Sequence, residues 1–165
     1  MQREDEPATG PAPMRIAMRV VGFSHYLQGP ACTQYLADMG ADVVKVEPLK
    51  GAFERHWSGG KSFVGGTSAF LISVNRNKRS LAVDLKRPEG IEIVLRLIDR
   101  ADVVVENYRP GVLDRLGLGA DSVRARKPDI IYASASGLGA SGPASGRPGQ
   151  DLLMQARSGL IAATG

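Results

Sequence analysis

The chain has 165 residues, of which 43% are hydrophobic and 23% charged, and this composition is typical of one globular domain. The formal charge of +4 is spread along the chain without a long basic run, which argues against a nucleic-acid-binding protein. No apolar run approaches the roughly 18 residues of a membrane span. Cys32 is the single cysteine, so no intrachain disulfide is possible, and a reducing, cytoplasmic location is favoured.

The first thirteen residues differ in composition from the rest. Residues 1–13 are polar, acidic and rich in proline, and they lack the apolar segment of a signal peptide. We therefore expect a disordered tail over residues 1–13 and a domain over residues 14–165.

Strand-like apolar runs and helical patterns then alternate along the chain. In chain order the pattern predicts strand 18–23, helix 31–39, strand 42–47, a long loop 48–66, helix 67–74, strand 80–85, an amphipathic helix from 88 to 98, strand 101–106, short helices 112–116 and 120–126, strand 130–134, a Gly-, Ser- and Pro-rich loop 137–149 and helix 151–163.

The first predicted helix carries its larger apolar side chains at helical spacing. Cys32, Tyr35, Leu36 and Met39 would share one face, so this face is expected to point inward, with Cys32 as a small core residue. Gly40 is expected to end the helix.

Strands that alternate with helices predict an α/β fold, here a Rossmann-like open parallel sheet with helices on both faces. Ligand loops of such sheets lie at the carboxyl ends of the strands. Loops 24–30, 48–66, 107–111 and 135–150 all follow predicted strands, so we expect them to meet at one edge.

Several common site motifs are missing from the sequence. His25 and His56 have no Cys or His at ligand spacing, so no metal site is predicted. No Gly-x-Gly-x-x-Gly follows the first strand, and the chain has neither a Walker lysine motif nor a Gly-x-Ser-x-Gly elbow.

Three segments carry candidate chemistry, each with a plain structural alternative. Residues 75–80 (NRNKRS) supply cations for phosphates or form an ordinary basic turn. Residues 106–111 (ENYRPG) supply an aromatic ring and a guanidinium for a purine or form a turn. Asp151, after the loop 146–150, is a nucleophilic carboxylate or a helix N-cap.

Together with the opening segment, these residues resemble the class III (CaiB/BaiF-type) acyl-CoA transferases, over about residues 19–165. The similar stretches are 29–47 (GPACTQYLADMGADVVKVE), 75–86 (NRNKRSLAVDLK), 102–117 (DVVVENYRPGVLDRLG) and 148–160 (PGQDLLMQARSGL). They occur in the family's order, and the resemblance identifies the chain as the N-terminal part of the family's large domain.

The resemblance implies an activity and a set of site residues. The family's acyl-carrying aspartate falls on Asp151, which would form a mixed anhydride and then an aspartyl-CoA thioester while CoA passes from an acyl-CoA to a carboxylic acid. Backbone N–H groups of loop 137–149 would stabilise the oxyanions. Coenzyme A is implied as co-substrate, without a metal. The implied CoA contacts are Lys78, Arg79, Asn107, Tyr108 and Arg115.

Two departures from the family pattern affect this interpretation. The racemase relatives have a histidine immediately before the aspartate, and Gln150 here cannot transfer a proton in its place, which favours a transferase over a 2-methylacyl-CoA racemase. Full family members also have a small domain and a returning C-terminal segment, and they form an interlocked homodimer. The chain is therefore expected to be active once those regions complete it. The alternatives are a truncated, inactive CoA-binding module and a racemase-type isomerase.

Overall fold

A computed structural model describes residues 16–165, so the tail predicted for residues 1–13 lies outside the described residues. The strands are β1 (Arg19–Phe23), β2 (Asp42–Glu47), β3 (Phe63–Val64), β4 (Thr67–Ser68), β5 (Lys78–Ala82), β6 (Val103–Glu106) and β7 (Ile131–Ser134). The helices are α1 (Gln28–Asp38), α2 (Ala69–Asn75), α3 (Pro88–Ile98), α4 (Ala120–Arg126), α5 (Asp151–Arg157) and α6 (Leu160–Thr164). Single 3₁₀ turns lie at Phe53–Arg55 and Asp114–Leu116.

Five of the strands form one parallel sheet in the order β5-β2-β1-β6-β7, which confirms the predicted sheet. Val20 of β1 pairs with Val43 on one side and with Val103 on the other. The chain therefore starts in the middle of the sheet, builds outward to β5, and returns to add β6 and β7 beside β1. The strand order reverses between β1 and β6.

The sheet is covered on both faces, as the buried strands predicted. Val20 and Val103 pack in a small core with Ala37 of α1, whereas the neighbouring Val21 and Val104 point to the opposite face. That opposite face holds the larger core, which includes Val94 and Ile98 of α3, Val123 of α4, and Leu118. The predicted amphipathic pattern of α3 is therefore confirmed.

The inward face predicted for α1 is wrong. Cys32 is exposed, Tyr35 is 66% exposed, and the buried residues of α1 are Gly29, Pro30, Thr33, Gln34 and Ala37. The cause is close packing: a Cβ at Gly29 would lie 2.7 Å from the Cβ of Ser24, so only small residues fit at this point of contact. Thr33 is compatible with the buried face because its hydroxyl donates within the helix, to Gly29 O at 3.1 Å or Pro30 O at 3.0 Å.

Several predicted elements differ from the structure in their bounds, among them β5, the loop 48–66 and the last helix. Strand β5 begins at Lys78 and not at residue 80, because Lys78 already pairs with Val43. The long loop 48–66 contains the turn Phe53–Arg55 and the first strand of the β3–β4 hairpin. The single helix predicted over 151–163 is broken at Gly159, whose φ of 80° is left-handed and ends the helical path.

None of the helices in the described part of the chain is long and apolar enough to cross a membrane.

Candidate functional site

The loops that follow β1 and β6 meet where the strand order reverses. Asn107 lies directly after β6, and its side chain binds the backbone of His25, two residues after β1. His25 N donates to Asn107 Oδ1 at 2.8 Å, and Asn107 Nδ2 donates to His25 O at 2.9 Å. A crevice outside the carboxyl ends of the strands, at such a reversal, is where open α/β sheets bind ligands.

The loop after β2 joins the same edge through Glu54. This carboxylate is 2% exposed, accepts from Tyr26 N at 2.6 Å, and places Oε1 3.3 Å from His25 Nδ1. Burial opposes ionisation of Glu54, but His25 and the Tyr26 amide outweigh it and lower the pKa of the carboxyl. The contact with His25 is long and poorly aligned for a hydrogen bond, and Glu54 Oε2 has no partner.

Tyr108 completes the surroundings of the His25 ring. The two rings are stacked with centroids 4.8 Å apart and an interplanar angle of 9°. Tyr108 N donates to Glu106 Oε2 at 2.8 Å, so the buried Glu106 fixes the backbone that carries the ring. Burial, together with the negative charges of Glu54 and Glu106, raises the pKa of Tyr108 to about 12, which keeps the phenol protonated.

A second buried carboxylate holds the turn that carries Glu54. Glu47, the last residue of β2, accepts from Arg55 Nε and Nη2, each at 2.7 Å, and from Ala52 N at 2.7 Å. Ser80 Oγ lies 3.0 Å from the same carboxylate. Burial disfavours the charge, but these donors and the guanidinium lower the pKa of Glu47 to about 2.

Lys78 and Arg79 lie far from Asn107 in the sheet. They are the first two residues of β5 and so lie at the amino end of the sheet, whereas Asn107 and Tyr108 lie beyond the carboxyl end of β6. The expected CoA contacts are therefore divided between the two ends of the strands.

The ammonium of Lys78 is already engaged. Lys78 Nζ donates to Pro30 O at 2.6 Å, to Val74 O at 2.7 Å and to Asn75 Oδ1 at 3.0 Å. Burial and the nearby charge of Lys45 lower the pKa of Lys78 to about 7. The predicted phosphate-binding lysine thus links β5 to α1 and α2.

A groove of about 240 Å³ runs along this side of the sheet. Its lining includes five cationic side chains together with Glu47: Lys45, Arg55, Arg76, Lys78 and Arg79. Arg79 is paired with Asp42 at 2.6 Å and Arg76 with Asp38 at 2.5 Å, in both cases at exposed positions. Exposed ion pairs of this kind exchange partners at little cost, so the groove can accept an anionic group.

Arg115 lies near the carboxyl end of the sheet, in the turn that follows the Asn107 segment. It is exposed, and a Cβ at Gly111 would lie 3.2 Å from Arg115 Nη1, so the guanidinium lies over the glycine. Within residues 16–165 no carboxylate lies within 4 Å of this guanidinium.

Asp151 is the first residue of α5 and is exposed. The helix N-cap is Gln150, so Asp151 does not have the N-cap role that was the plain alternative. Gln155 Nε2 donates to Asp151 Oδ2 at 2.6 Å, and the other carboxylate oxygen has no protein partner in the described residues.

The loop before Asp151 is closed at its base. A Cβ added to Gly137 would lie 2.5 Å from Gly149 O and 2.6 Å from Gly149 Cα, so the two backbones touch only because both residues are glycine. Gly137 is three residues beyond the end of β7, and Gly149 is two residues before Asp151. This contact brings the start of α5 back to the carboxyl end of the sheet.

Sequence reasoning missed His25 and Glu54. His25 was weighed only as a metal ligand, although its place directly after the first strand was a signal that sequence alone provides. Glu54 had no signal, because it lies in a loop without a periodic pattern. No group of three His, Cys, Asp or Glu side chains within residues 16–165 is arranged to hold a metal ion.

Comparisons with known proteins agree on one family. The family profile described as CoA-transferase family III matches residues 17–165. An acyl-CoA transferase of Fusarium pseudograminearum is 46% identical over 155 residues, covering 90% of this chain and 34% of the relative. The succinyl-CoA:glutarate CoA-transferase of Mus musculus is 45% identical over 149 residues, with coverages of 90% and 34%.

A solved structure gives the same result. The crystal structure of a CaiB/BaiF family protein from Brucella suis superposes with a TM-score of 0.83 at 40% identity, covering 90% of this chain and 40% of that one. The chain thus spans about a third of the length of the two relatives named and two fifths of the Brucella protein. By sequence and by fold, the chain belongs to CoA-transferase family III.

Proposed function

We propose that the chain forms the nucleophile-bearing part of a CoA-transferase that moves CoA from an acyl-CoA to a carboxylic acid. The observation that supports this proposal is the position of Asp151, an exposed carboxylate that the Gly137–Gly149 contact brings back to the carboxyl end of the sheet. The names of the similar transferases support the reaction class.

The chemistry is a double exchange at Asp151. One Asp151 oxygen attacks the thioester carbonyl carbon, the C–S bond breaks, and CoA leaves as the thiolate, which gives a mixed anhydride. The thiolate then attacks the Asp151 carbonyl, releasing the first acid and leaving an aspartyl-CoA thioester. The acceptor carboxylate repeats the two steps in reverse, so that acyl-CoA forms and the Asp151 carboxylate is restored.

The loop 137–149 supplies the groups that such intermediates need. Its backbone carries left-handed residues at Gly139 and Gly142, with φ of 82° and 89°, which turn the chain sharply before Asp151. Backbone N–H groups presented by a tight loop stabilise a developing oxyanion without reorganisation.

We infer that acyl-CoA lies along two regions. Asn107, Tyr108 and Arg115 at the carboxyl end contact the part nearer the thioester, and the groove that contains Lys78 and Arg79 supplies positive charge for the phosphates. Because Lys78 donates to three protein oxygens, its role is to hold the groove in shape, and Arg79 exchanges Asp42 for the ligand.

The full-length protein is proposed to be an interlocked homodimer, active in the cytoplasm. The supporting observation is the exposure of apolar side chains on the final helices, where Leu152 is 62% exposed and Leu160 is 48% exposed. Such surfaces are ordinarily covered by further protein.

The test combines binding with intact mass. The chain is titrated with CoA by calorimetry, with a Kd in the micromolar range expected, about −8 kcal/mol. It is then incubated with acetyl-CoA and succinyl-CoA, and the mass is followed for an acyl or CoA adduct. Asp151→Asn is expected to abolish the adduct, while Asp121→Asn, at an exposed position on α4, retains it.

A CoA-binding part without turnover of its own is the second candidate. The exposed apolar side chains of α5 and α6 favour it, because regions beyond the described chain would then be needed to complete the site. CoA binding without any adduct supports this candidate, and an adduct on Asp151 excludes it. A racemase-type reaction is disfavoured, because Gln150 precedes Asp151.

A further inference from the structure

His25 is fixed in place by residues of two other loops, the one after β6 and the one after β2. Asn107 holds its backbone through two hydrogen bonds of 2.8 and 2.9 Å, Tyr108 stacks on its ring, and Glu54 approaches Nδ1 at 3.3 Å. The two residues expected to contact CoA, Asn107 and Tyr108, are therefore the ones that also hold this histidine. Its neighbour Tyr26 has a φ of 56°, a left-handed conformation that is uncommon for a bulky residue.

The ring is buried on one side and open on the other. Nδ1 is inaccessible to solvent and faces the buried Glu54, yet the His25 side chain remains 29% exposed. The exposed surface therefore belongs to the remaining ring atoms, Nε2 among them. The ring lies at the carboxyl end of the sheet, beside the reversal of strand order between β1 and β6, where open α/β sheets have their ligand crevice.

We propose that His25 is a further ligand-contacting residue of this site, which meets acyl-CoA through a hydrogen bond at Nε2, and that Glu54 is its positioning residue. The inference rests on the proposed function, because it takes acyl-CoA as the ligand in this crevice.

Glu54 decides which ring nitrogen is available. The contact lacks the alignment of a hydrogen bond, but the negative charge of Glu54, with Oε1 3.3 Å from Nδ1, favours the proton on Nδ1 electrostatically, so that neutral His25 presents a lone pair at Nε2 as an acceptor. The ionisable groups around the ring are Glu54 from the loop after β2, Tyr108 from the loop after β6, and Tyr26 beside it in the chain. Because the raised pKa of Tyr108 keeps its phenol protonated, the Glu54 carboxylate is the charge next to the ring.

The chain offers a sharp experiment, because His25 and His56 are its only histidines. In ¹⁵N-labelled protein the imidazole nitrogens of both are observed, and His56, which is exposed, provides the matched control. His25→Asn assigns the signals. In the free chain we expect His25 in the Nδ1–H tautomer, and Glu54→Gln is expected to mix the two tautomers without changing His56.

Adding CoA, and then acetyl-CoA, tests the contact. We expect the Nε2 signal of His25 to shift while that of His56 stays, and His25→Asn to raise the Kd for CoA at least about tenfold while His56→Asn does not. The imidazole readout uses the unsubstituted chain, so it holds even where a variant fails to fold.

The outcomes distinguish failure of the His25 contact from failure of the proposed acyl-CoA site. If CoA shifts the backbone amides of Asn107 and Tyr108 but leaves the His25 ring unchanged, His25 is not a ligand contact and the proposed function stands without it. If His25 shows the Nε2–H tautomer in the free chain, the role given to Glu54 is wrong. If CoA shifts no amide of the chain, the proposed acyl-CoA site fails, and this inference fails with it.

Discussion

The Asn107 side chain binds the backbone of His25 as a neighbouring strand would, because Oδ1 accepts from His25 N at 2.8 Å and Nδ2 donates to His25 O at 2.9 Å. The two residues are 82 positions apart, so the contact joins the loop after β1 to the loop after β6 across the reversal of strand order. Gly29 makes room for it, since a Cβ there would lie 3.0 Å from Asn107 Cγ.

Loss of the Asn107 side chain should therefore be costly. Asn107→Ala leaves both backbone groups of His25 without these partners, and each lost bond to a partly buried group costs about 1 kcal/mol or more. We expect the free energy of unfolding, measured by urea denaturation, to fall by about 2 kcal/mol, with CoA affinity reduced. Asn107→Asp keeps the acceptor and loses the donor, so it should be intermediate. Equal stability of all three proteins would contradict the prediction.

The Glu47 carboxylate should make stability depend on acid pH. Its pKa is about 2 in the folded chain against an ordinary 4.5, so its stabilisation is complete above about pH 4.5 and is lost as the pH falls toward 2. That difference corresponds to roughly 3 kcal/mol, and solvent at the half-exposed Arg55 reduces it to about 2.

Glu47→Gln removes this dependence. Urea denaturation between pH 2.5 and 7 should show wild-type stability falling by about 2 kcal/mol more than that of Glu47→Gln. Asp121→Asn, at an exposed position on α4, serves as the control and should keep the wild-type profile. Parallel profiles for wild type and Glu47→Gln would show that the Glu47–Arg55 ion pair does not carry the effect.

The parallel sheet was predictable from the sequence because its strands are short apolar runs with helical segments between them. Residues 42–47 and 120–126 match the predicted bounds, and the amphipathic pattern of α3 identified its buried face. Those features depend on local periodicity, which sequence displays directly.

The inner face of α1 was not predictable in this way. Its larger apolar residues, such as Tyr35, point outward, because the helix approaches the sheet so closely that Gly29, Pro30 and Thr33 must face it. The contact of Glu54 with His25 was hidden for a different reason: it joins residues 29 positions apart through a loop whose turn is set by Glu47 and Arg55. Such contacts depend on tertiary packing and leave no period in the sequence.

Lys78 should make the free energy of unfolding depend on pH in the neutral to alkaline range. Its pKa is lowered to about 7 in the folded chain, by burial and by Lys45, against an ordinary 10.5. The unfolded chain therefore binds more protons between about pH 7 and 10.5, so wild-type stability gains from this group as the pH rises through that window.

Lys78→Met removes the titrating amine and leaves the carbonyl oxygens of Pro30 and Val74 without this donor. The free energy of unfolding of wild type minus that of Lys78→Met should grow by roughly 2 to 4 kcal/mol between pH 7 and 10. Lys50→Met, at an exposed position, is the matched control and should show no such change. A difference that is constant with pH would mean that Lys78 keeps an ordinary pKa.

The contact between Gly137 and Gly149, at the base of the last loop, should determine the position of Asp151 and have little effect on the stability of the fold. A Cβ at Gly137 would lie 2.5 Å from Gly149 O, whereas a Cβ at Gly146 of the same loop meets nothing within 4 Å. Gly137→Ala must push the two backbones apart and displace the start of α5, and Gly146→Ala leaves the loop undisturbed. The core packs elsewhere, so the melting temperature should change by only a few degrees in either variant.

The measurement is the initial rate of adduct formation from acetyl-CoA, followed by intact mass. Gly137→Ala should slow it at least about tenfold, which corresponds to roughly 1.4 kcal/mol, while Gly146→Ala reacts at the wild-type rate. If both variants react like wild type, the closed base of the loop does not position the nucleophile. If both are slow, the whole loop contributes, since Gly146 has no packing contact through which an added methyl group would otherwise act.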